Sequence, residues 1–485
     1  MKFLVFLCVS LLVLPLPLRA ARPTDHLEKC WQQQGAGLKD GYAAFSYREL
    51  ANELEHSQYP WQTTAYEKKG TAWLSAQRYL RLDTLTQGPK TYYSRTQVGG
   101  GEVLVQDYGE NQLAAATPER LAAQLVASAR YSPVLLLGYL REQKVAAQAQ
   151  APAGLVSYRT QLPNALVTVL IRKADHVVAH VTVLSHDELF GDVLTTFAYQ
   201  DYTRAGPLRY ARTVAVAKIN GQVHDTVTVR SLTVVAAAPA LLARPAVYEV
   251  AAAKPVLPVS TVEHFRPNLY LLNLQHTDDR VLIVEFRDFL VVAEAPLSSE
   301  NGEYIVREAR KIAPTKPIKY FVFGHYHPHY LGGLRAFVAR GATILGGPGT
   351  AAYARYLTQA PHTLQPDSLQ RRPRPMVFEE VTTSKTITDG QFTMQIHCIG
   401  KQSAHTNDYL IYYFPSEKVL FEDDLVWIKQ QGGPRKPSAR QAGLYQAVQA
   451  LQLPVDTVVQ SWPVADYGVK TIIPFRELEQ AMQVK

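Results

Sequence analysis

From Leu166 onward, apolar and polar positions alternate over five successive runs: Leu166–Arg172, His176–Leu184, Val193–Tyr199, Thr213–Lys218 and Val223–Val234. A period of two puts neighbouring side chains on opposite faces of a strand, so each run predicts a half-buried β-strand. Asn220-Gly221, between the last two runs, is a strong two-residue hairpin signal. Together the runs predict a meander curved into an antiparallel sheet with one face inward. Earlier in the chain, Ser46–His56 and Pro118–Ala129 carry helical spacing. The second of these opens with Thr117-Pro118-Glu119, which supplies an N-cap, a first-position proline and an acidic first turn. Residues 21–235 therefore read as one β-rich domain with helical pieces near its start.

The pattern breaks over residues 236–259, AAAPALLARPAVYEVAAAKPVLPV, where no period persists. Its alanine, proline and valine content suits a semi-rigid connector. A second, α+β pattern fills residues 260–485. Leu269–Leu274, Val281–Phe286 and Leu290–Ala293 predict short strands with a turn at Thr277-Asp278-Asp279. Glu300–Ile312 predicts an amphipathic helix, Lys316–Phe323 a strand, Leu334–Arg340 a short helix and Thr343–Leu345 another strand. Ala351–Arg374 is polar and proline-punctuated, as a loop or short-helix insert would be. Leu444–Leu451 then predicts a helix, and Pro454–Val459 a strand. At the other end of the chain, Lys2 precedes the leucine-rich run Phe3–Leu18, which closes in LPLPLRA. A basic start, a short proline-broken apolar core and small residues near Ala20 predict a signal peptide over residues 1–20. The expected location is secreted or periplasmic.

Composition changes this picture little. The 485 residues are 47% apolar and 19% charged, ample for two or three cores. The net charge of +8 is scattered, without a basic stripe interleaved with aromatics, which argues against a nucleic-acid partner. Beyond the leader no apolar stretch is long enough to span a bilayer. Cys8 falls in the leader, so Cys30 and Cys398 remain; one disulfide or buried free thiols both suit them. His176, His180 and His186 lie in β-alternating sequence and read as structural.

The chemistry concentrates after Tyr320–Phe323, an apolar run that stops at Gly324 and delivers His325, His327 and His329 at every second position. Three imidazoles so spaced cannot share a helix face, but a strand end or extended loop can aim them into one pocket. On its own, such a cluster is as well explained as a surface accident or a core satellite. The surrounding sequence, PIKYFVFGHYHPHYLGGLRAFVARGATILGGP from Pro317 to Pro348, resembles the signature of the metallo-β-lactamase superfamily, H-x-H-x-D-H followed by a glycine pair. His325 and His327 fall on the first two histidines of that motif, whereas His329 stands in place of its Asp and Tyr330 in place of its last His. Gly400–Trp427, GKQSAHTNDYLIYYFPSEKVLFEDDLVW, resembles the superfamily's second histidine motif and the strands after it. There His405 falls on the third histidine and Asp424 on the Asp that bridges two metals, with Asp423 in place of the usual glycine. His397 reads as packed rather than bound. Trp462 stands where the family places a final histidine, and indole is a donor only.

The resemblance implies an αββα metallo-β-lactamase-type sandwich behind the β-rich antiparallel domain. It implies metal ligands His325, His327, His405 and Asp424, with His329 and Asp424 as catalytic groups. A donor set this thin at the second site implies one ion, zinc or alternatively iron. The expected activity is zinc-dependent hydrolysis of a small ester, thioester, lactam or phosphoester by an activated water. Two alternatives remain: a catalytically weak metal-binding relative that acts in ligand binding, and a mononuclear iron oxygenase. The stretch AYQDYTRAGPLRYARTVAVAKINGQVHDTVTVRSLTV resembles in rhythm the closing strands of periplasmic lipoprotein-carrier domains. That likeness implies a lipid or acyl ligand, beside the plainer reading of a structural β-domain.

Overall fold

The structure, a computed structural model, describes residues 25–484 apart from 36–37, 39–40, 55–56, 76–77, 88, 100, 108–109, 237–248, 251–258 and 434. The expected signal peptide and most of the expected connector lie outside the described residues.

The first half is a single sheet built from two antiparallel meanders, with the two-residue strand Glu249–Val250 added in parallel at one edge. Strand Tyr42–Leu54 buries Ala43, Phe45, Tyr47, Glu49 and Ala51 on one face. The helix expected over Ser46–His56 is thus corrected to a strand. Its RELANEL stretch is rich in helix formers, but ladders to Thr63–Leu74 on one side and Val223–Val235 on the other override that local preference. The other expected helix forms at Pro118–Ser128, with Thr117 accepting a hydrogen bond from the Arg120 amide. The five alternating runs form strands Ala165–Arg172, Val178–Asp187, Gly191–Ala205, Leu208–Lys218 and Val223–Val235. His176 falls just outside its run, in a left-handed turn conformation at φ 53°. Among the described residues the sheet has thirteen strands, and the first strand of the first meander lies beside the last strand of the second. Helices His26–Gln34, Pro118–Ser128 and Val134–Glu142 cover its inward face, over Phe45, Val167 and Val214.

A cavity of about 650 Å³ lies between this sheet and helix Pro118–Ser128, lined in part by Glu49, Lys68, Arg81, Asp83, Arg130 and Lys218. Arg130 pairs with Glu49 and Asp225, Lys218 with Asp225 at 2.9 Å, and Arg81 with Asp83 at 2.8 Å. Burying an acyl chain against such a wall would desolvate these ions without offering them a partner. The geometry does not support the expected lipid ligand.

The second half is α+β and stacks two sheets. Seven strands from Ser260–Arg266 to Val377–Glu380 make one, and six from Ser384–Thr388 to Ile472–Pro474 the other. Leu271, Leu282 and Val291 of the first meet Met394, Ile396, Tyr412 and Phe421 of the second in a common core. Side chains of helices Ser299–Ile312, Leu334–Val338 and Ala351–Gln359 pack on the outside of the first sheet. Helices Ala439–Ala450 and Phe475–Met482 do the same on the second. The stretch expected as an insert therefore contains a regular helix as well as loop.

Both described cysteines are free. Burial raises the Cys30 thiol to about 12 and Cys398 to about 11, as inert packed thiols. Among the described residues no helix is long and apolar enough to cross a membrane.

The halves touch at several places among the described residues. At one, Trp61 packs against Phe190, Tyr353 and Tyr356. At another, the Asp192 amide donates to Pro361 O at 2.7 Å, and the Asp192 carboxylate accepts from the amides of Thr363 and Leu364.

Candidate metal centre

Strand Ile318–Val322 enters the core at Phe321 and Val322 and releases the chain at Gly324, directly before the histidines. A Cβ at Gly324 would lie 2.1 Å from Asp423 Oδ2, so only glycine fits beside that carboxylate. His325 is completely buried and places Nδ1 2.6 Å from Asp423 Oδ2 and Nε2 2.9 Å from His327 Nδ1. His327 sits at the start of the short helix Pro328–Leu331, with its Nε2 3.1 Å from the Ser57 carbonyl oxygen. His405 comes from the facing sheet. It follows Ala404, at φ 52°, and its amide donates to Ser403 Oγ at 3.1 Å. The ligand nitrogens of His325, His327 and His405 all lie within 4.8 Å of one another, and all three residues are buried.

A neutral imidazole carries one N–H. His325 has a carboxyl partner at Nδ1, and His327 has a carbonyl, which can only accept, at Nε2. The Ser57 carbonyl therefore holds the His327 proton at Nε2, and His327 Nδ1 lies 2.9 Å from His325 Nε2. His405 Nε2 adds a third, 3.1 Å from Asp424 Oδ2 but without the alignment of a hydrogen bond. Three imidazole nitrogens converging in one buried pocket make a donor set that suits a divalent cation such as zinc, with three nitrogens and an open fourth position.

Two further carboxyls stand behind His325. Glu294, buried at φ 71°, accepts from the Gly324 amide at 3.1 Å and from the Tyr412 hydroxyl at 2.7 Å, and its side chain also meets Asp423. Burial pushes Glu294 up to about 8 and raises Asp423 as well. Two adjacent buried anions also repel, so Glu294 pushes Asp423 further toward its neutral form.

Asp424 borders the triad. Burial opposes its charge, yet the His405 ring and the Arg440 guanidinium, at 3.0 Å, hold its carboxyl below the usual range. His329 does not join the triad. On its short helix it directs Nδ1 to Asp279, at 2.9 and 3.3 Å, and packs 5.4 Å from the ring of Trp462. Burial lowers the His329 imidazole, but Asp279 outweighs that and raises it. Tyr330 lies against His325, with ring centres 4.3 Å apart. Trp462 packs into a trio with Trp427 and Tyr467, each 5.5 Å away. His397 has only Gln395, at 3.3 Å, and lies on a strand of the second sheet.

Sequence reasoning brought forward four of the residues gathered here and missed their supports. Asp423 was visible only as half of an acidic doublet. Glu294, Asp279 and Arg440 carry no motif spacing, and the Ser57 acceptor is a main-chain atom that no residue type announces.

No protein-family model matches this chain, and no curated protein does. Solved structures are similar to part of it. A metallo-beta-lactamase from Pontibacter korlensis shares 16% identity over 47% of this chain and 98% of its own, at a TM-score of 0.34. A metallo-beta-lactamase from Pseudomonas aeruginosa, solved in its mono-zinc form, shares 15% over 48% and 97%, at 0.35. A stereoselective inverting sec-alkylsulfatase from Pseudomonas sp. shares 14% over 46% of this chain and 41% of its own, at 0.33. About half of this chain is thus similar to structures of metallo-beta-lactamases and an alkylsulfatase.

Proposed function

We propose that this chain is an exported, mononuclear zinc hydrolase of the metallo-β-lactamase superfamily, acting on a small ester, thioester, lactam or phosphoester. In this reading residues 1–20 are a cleaved leader, 21–235 a β-domain, 236–259 a connector and 260–485 the αββα catalytic domain. The observation that carries the chemistry is the convergence of buried ring nitrogens from His325, His327 and His405. Zinc bound there would supply a water acidified to near neutral pH.

The chain's own groups have distinct tasks. Asp424, charged and pinned by Arg440, completes the ligand shell or orients the water. His329, locked by Asp279 at Nδ1, offers its other nitrogen as proton acceptor. The second-metal positions hold Tyr330 and Trp462, while Arg440 supplies beside Asp424 the positive charge that a second ion would bring.

Metal analysis of protein expressed without added metal tests the reading first. About one zinc per chain is expected, lost in His325→Ala and His405→Ala; full retention in both variants would remove its centre. Iron instead of zinc would favour the oxygenase alternative, since His325, His405 and Asp424 also make a two-His-one-carboxylate set. Turnover of chromogenic lactam, thioester and phosphodiester panels then separates a hydrolase from a binding protein. Amino-terminal sequencing of the exported form should begin near Ala21.

A further inference from the structure

Ser57 belongs to the first half of the chain, just beyond strand Tyr42–Leu54, yet its carbonyl reaches the metal centre of the second. It accepts from the Tyr326 hydroxyl at 2.7 Å and faces His327 Nε2 at 3.1 Å. The next carbonyl, of Gln58, accepts from the amide of Asn407 at 2.9 Å, two residues past His405. One short loop therefore holds both ligand-bearing segments, which come from different sheets.

The loop is itself tied down. Gln62 Oε1 accepts from the Gln58 amide at 3.0 Å, and the Gln62 amide donates to Tyr59 O at 3.3 Å. Trp61 then anchors it between Phe190, Tyr353 and Tyr356, with ring centres 5.6, 5.2 and 4.9 Å away. These rings come from both halves, so the loop is held where the halves meet.

We propose that residues 57–62 form a positioning strap for the metal centre, and that the Ser57 carbonyl fixes His327 in its Nε2–H tautomer. The inference rests on the metal reading above. Because a carbonyl can only accept, the ring proton must sit on Nε2, which leaves the Nδ1 lone pair turned inward. Without that acceptor the ring is free to exchange tautomers and rotamers, and metal capture must first restore the competent one. The first half of the chain thus completes the centre without contributing a ligand.

The test uses the full chain, stripped of metal. Zinc is titrated against a chromogenic chelator, and the tautomer of His327 is read from imidazole nitrogen shifts in the metal-free protein. Wild type is expected to bind about one equivalent and to show Nε2–H at His327. Trp61→Ala should bind the same equivalent about 10- to 100-fold more weakly, the range for losing an outer partner of a metal-bound histidine, with mixed tautomers. Trp61→Phe, which keeps a ring in the anchor, should restore affinity. Tyr326→Phe removes one donor from the Ser57 carbonyl without opening the anchor, and should weaken zinc by about tenfold; it carries the test if Trp61→Ala does not fold. Wild-type affinity and tautomer in the folded variants, beside a wild type that binds one zinc, would overturn the strap and leave the metal reading standing. A wild type that binds no zinc would overturn both.

Discussion

The 2.1 Å between a Cβ built on Gly324 and Asp423 Oδ2 makes that glycine a seat for a carboxylate, and the seat can be disturbed from either side. Gly324→Ala should cost about 1–3 kcal/mol in urea unfolding, the usual penalty of overpacking a filled core. Asp423→Asn should fold but hold zinc about 10- to 100-fold more weakly, as loss of an orienting carboxyl does. The proposed one-ion reading makes its own prediction. Trp462→His alone should leave zinc saturating at about one per chain, because position 329 still lacks an Asp and Arg440 still neutralises Asp424. His329→Asp with Tyr330→His and Trp462→His should raise occupancy toward two in a chelator-competed titration, and two tight equivalents in wild type would contradict the one-ion reading. At this scale the sequence was legible where chemistry has a spacing. His325 and His327 announce themselves at alternate positions after a strand, and His405 and Asp424 through motif flanks. A backbone acceptor such as Ser57 O, or a guanidinium such as Arg440 arriving from a distant helix, has no spacing to read.

Elements were legible when both neighbours agreed with the local pattern. Val223–Val235 alternates and pairs on both sides, so expectation and strand coincide, whereas Arg48–Leu54 looks helical alone and becomes a strand only through its partners. The segment Pro361–Leu364, read as variable insert, is an interface element. His362 packs there edge-on to His186, 5.6 Å away, with Arg335, Asp367 and Asp192 around it. Burial, helped by Arg335, lowers the His362 imidazole to about 4. The unfolded chain therefore takes up this proton near pH 6.5 while the fold does not until about pH 4. The stability of the neutral, buried ring is complete above about pH 6.5 and is lost as pH falls through that window, by at most ~1.4 kcal/mol per pH unit. Asp367, held down to about 2 by its hydrogen bonds to Arg335 against the cost of burial, contributes stability that is complete above about pH 4 and is lost only as pH falls below it. Urea midpoints measured from pH 7 to 4.5 should decline in wild type and flatten in His362→Gln; parallel curves would assign the decline elsewhere.

Across the whole molecule, two sheets share a core and the third is joined to them by specific long-range contacts. The Asp192 carboxylate receives the amides of Thr363 and Leu364, so Asp192→Ala leaves both donors without that partner at the junction of the halves. A loss of about 1.5–3 kcal/mol is expected in urea unfolding, the usual worth of hydrogen bonds to a charged group. Among strand pairings, the largest separation in sequence lies within the first sheet, where Tyr42 faces Val235 and all the other strands of both meanders intervene. Each meander can assemble from neighbouring hairpins, but their union must wait until the last strand exists and finds the first, and such distant pairings form slowly. Because Ser57 follows directly on that first strand, the order of assembly reaches the histidines: the strap cannot settle over His327 before the two meanders have closed. Zinc would then be captured by a chain that has already crossed its folding barrier. Added zinc should slow unfolding and leave the refolding rate unchanged, the signature of a ligand that recognises the finished molecule and plays no part in shaping it.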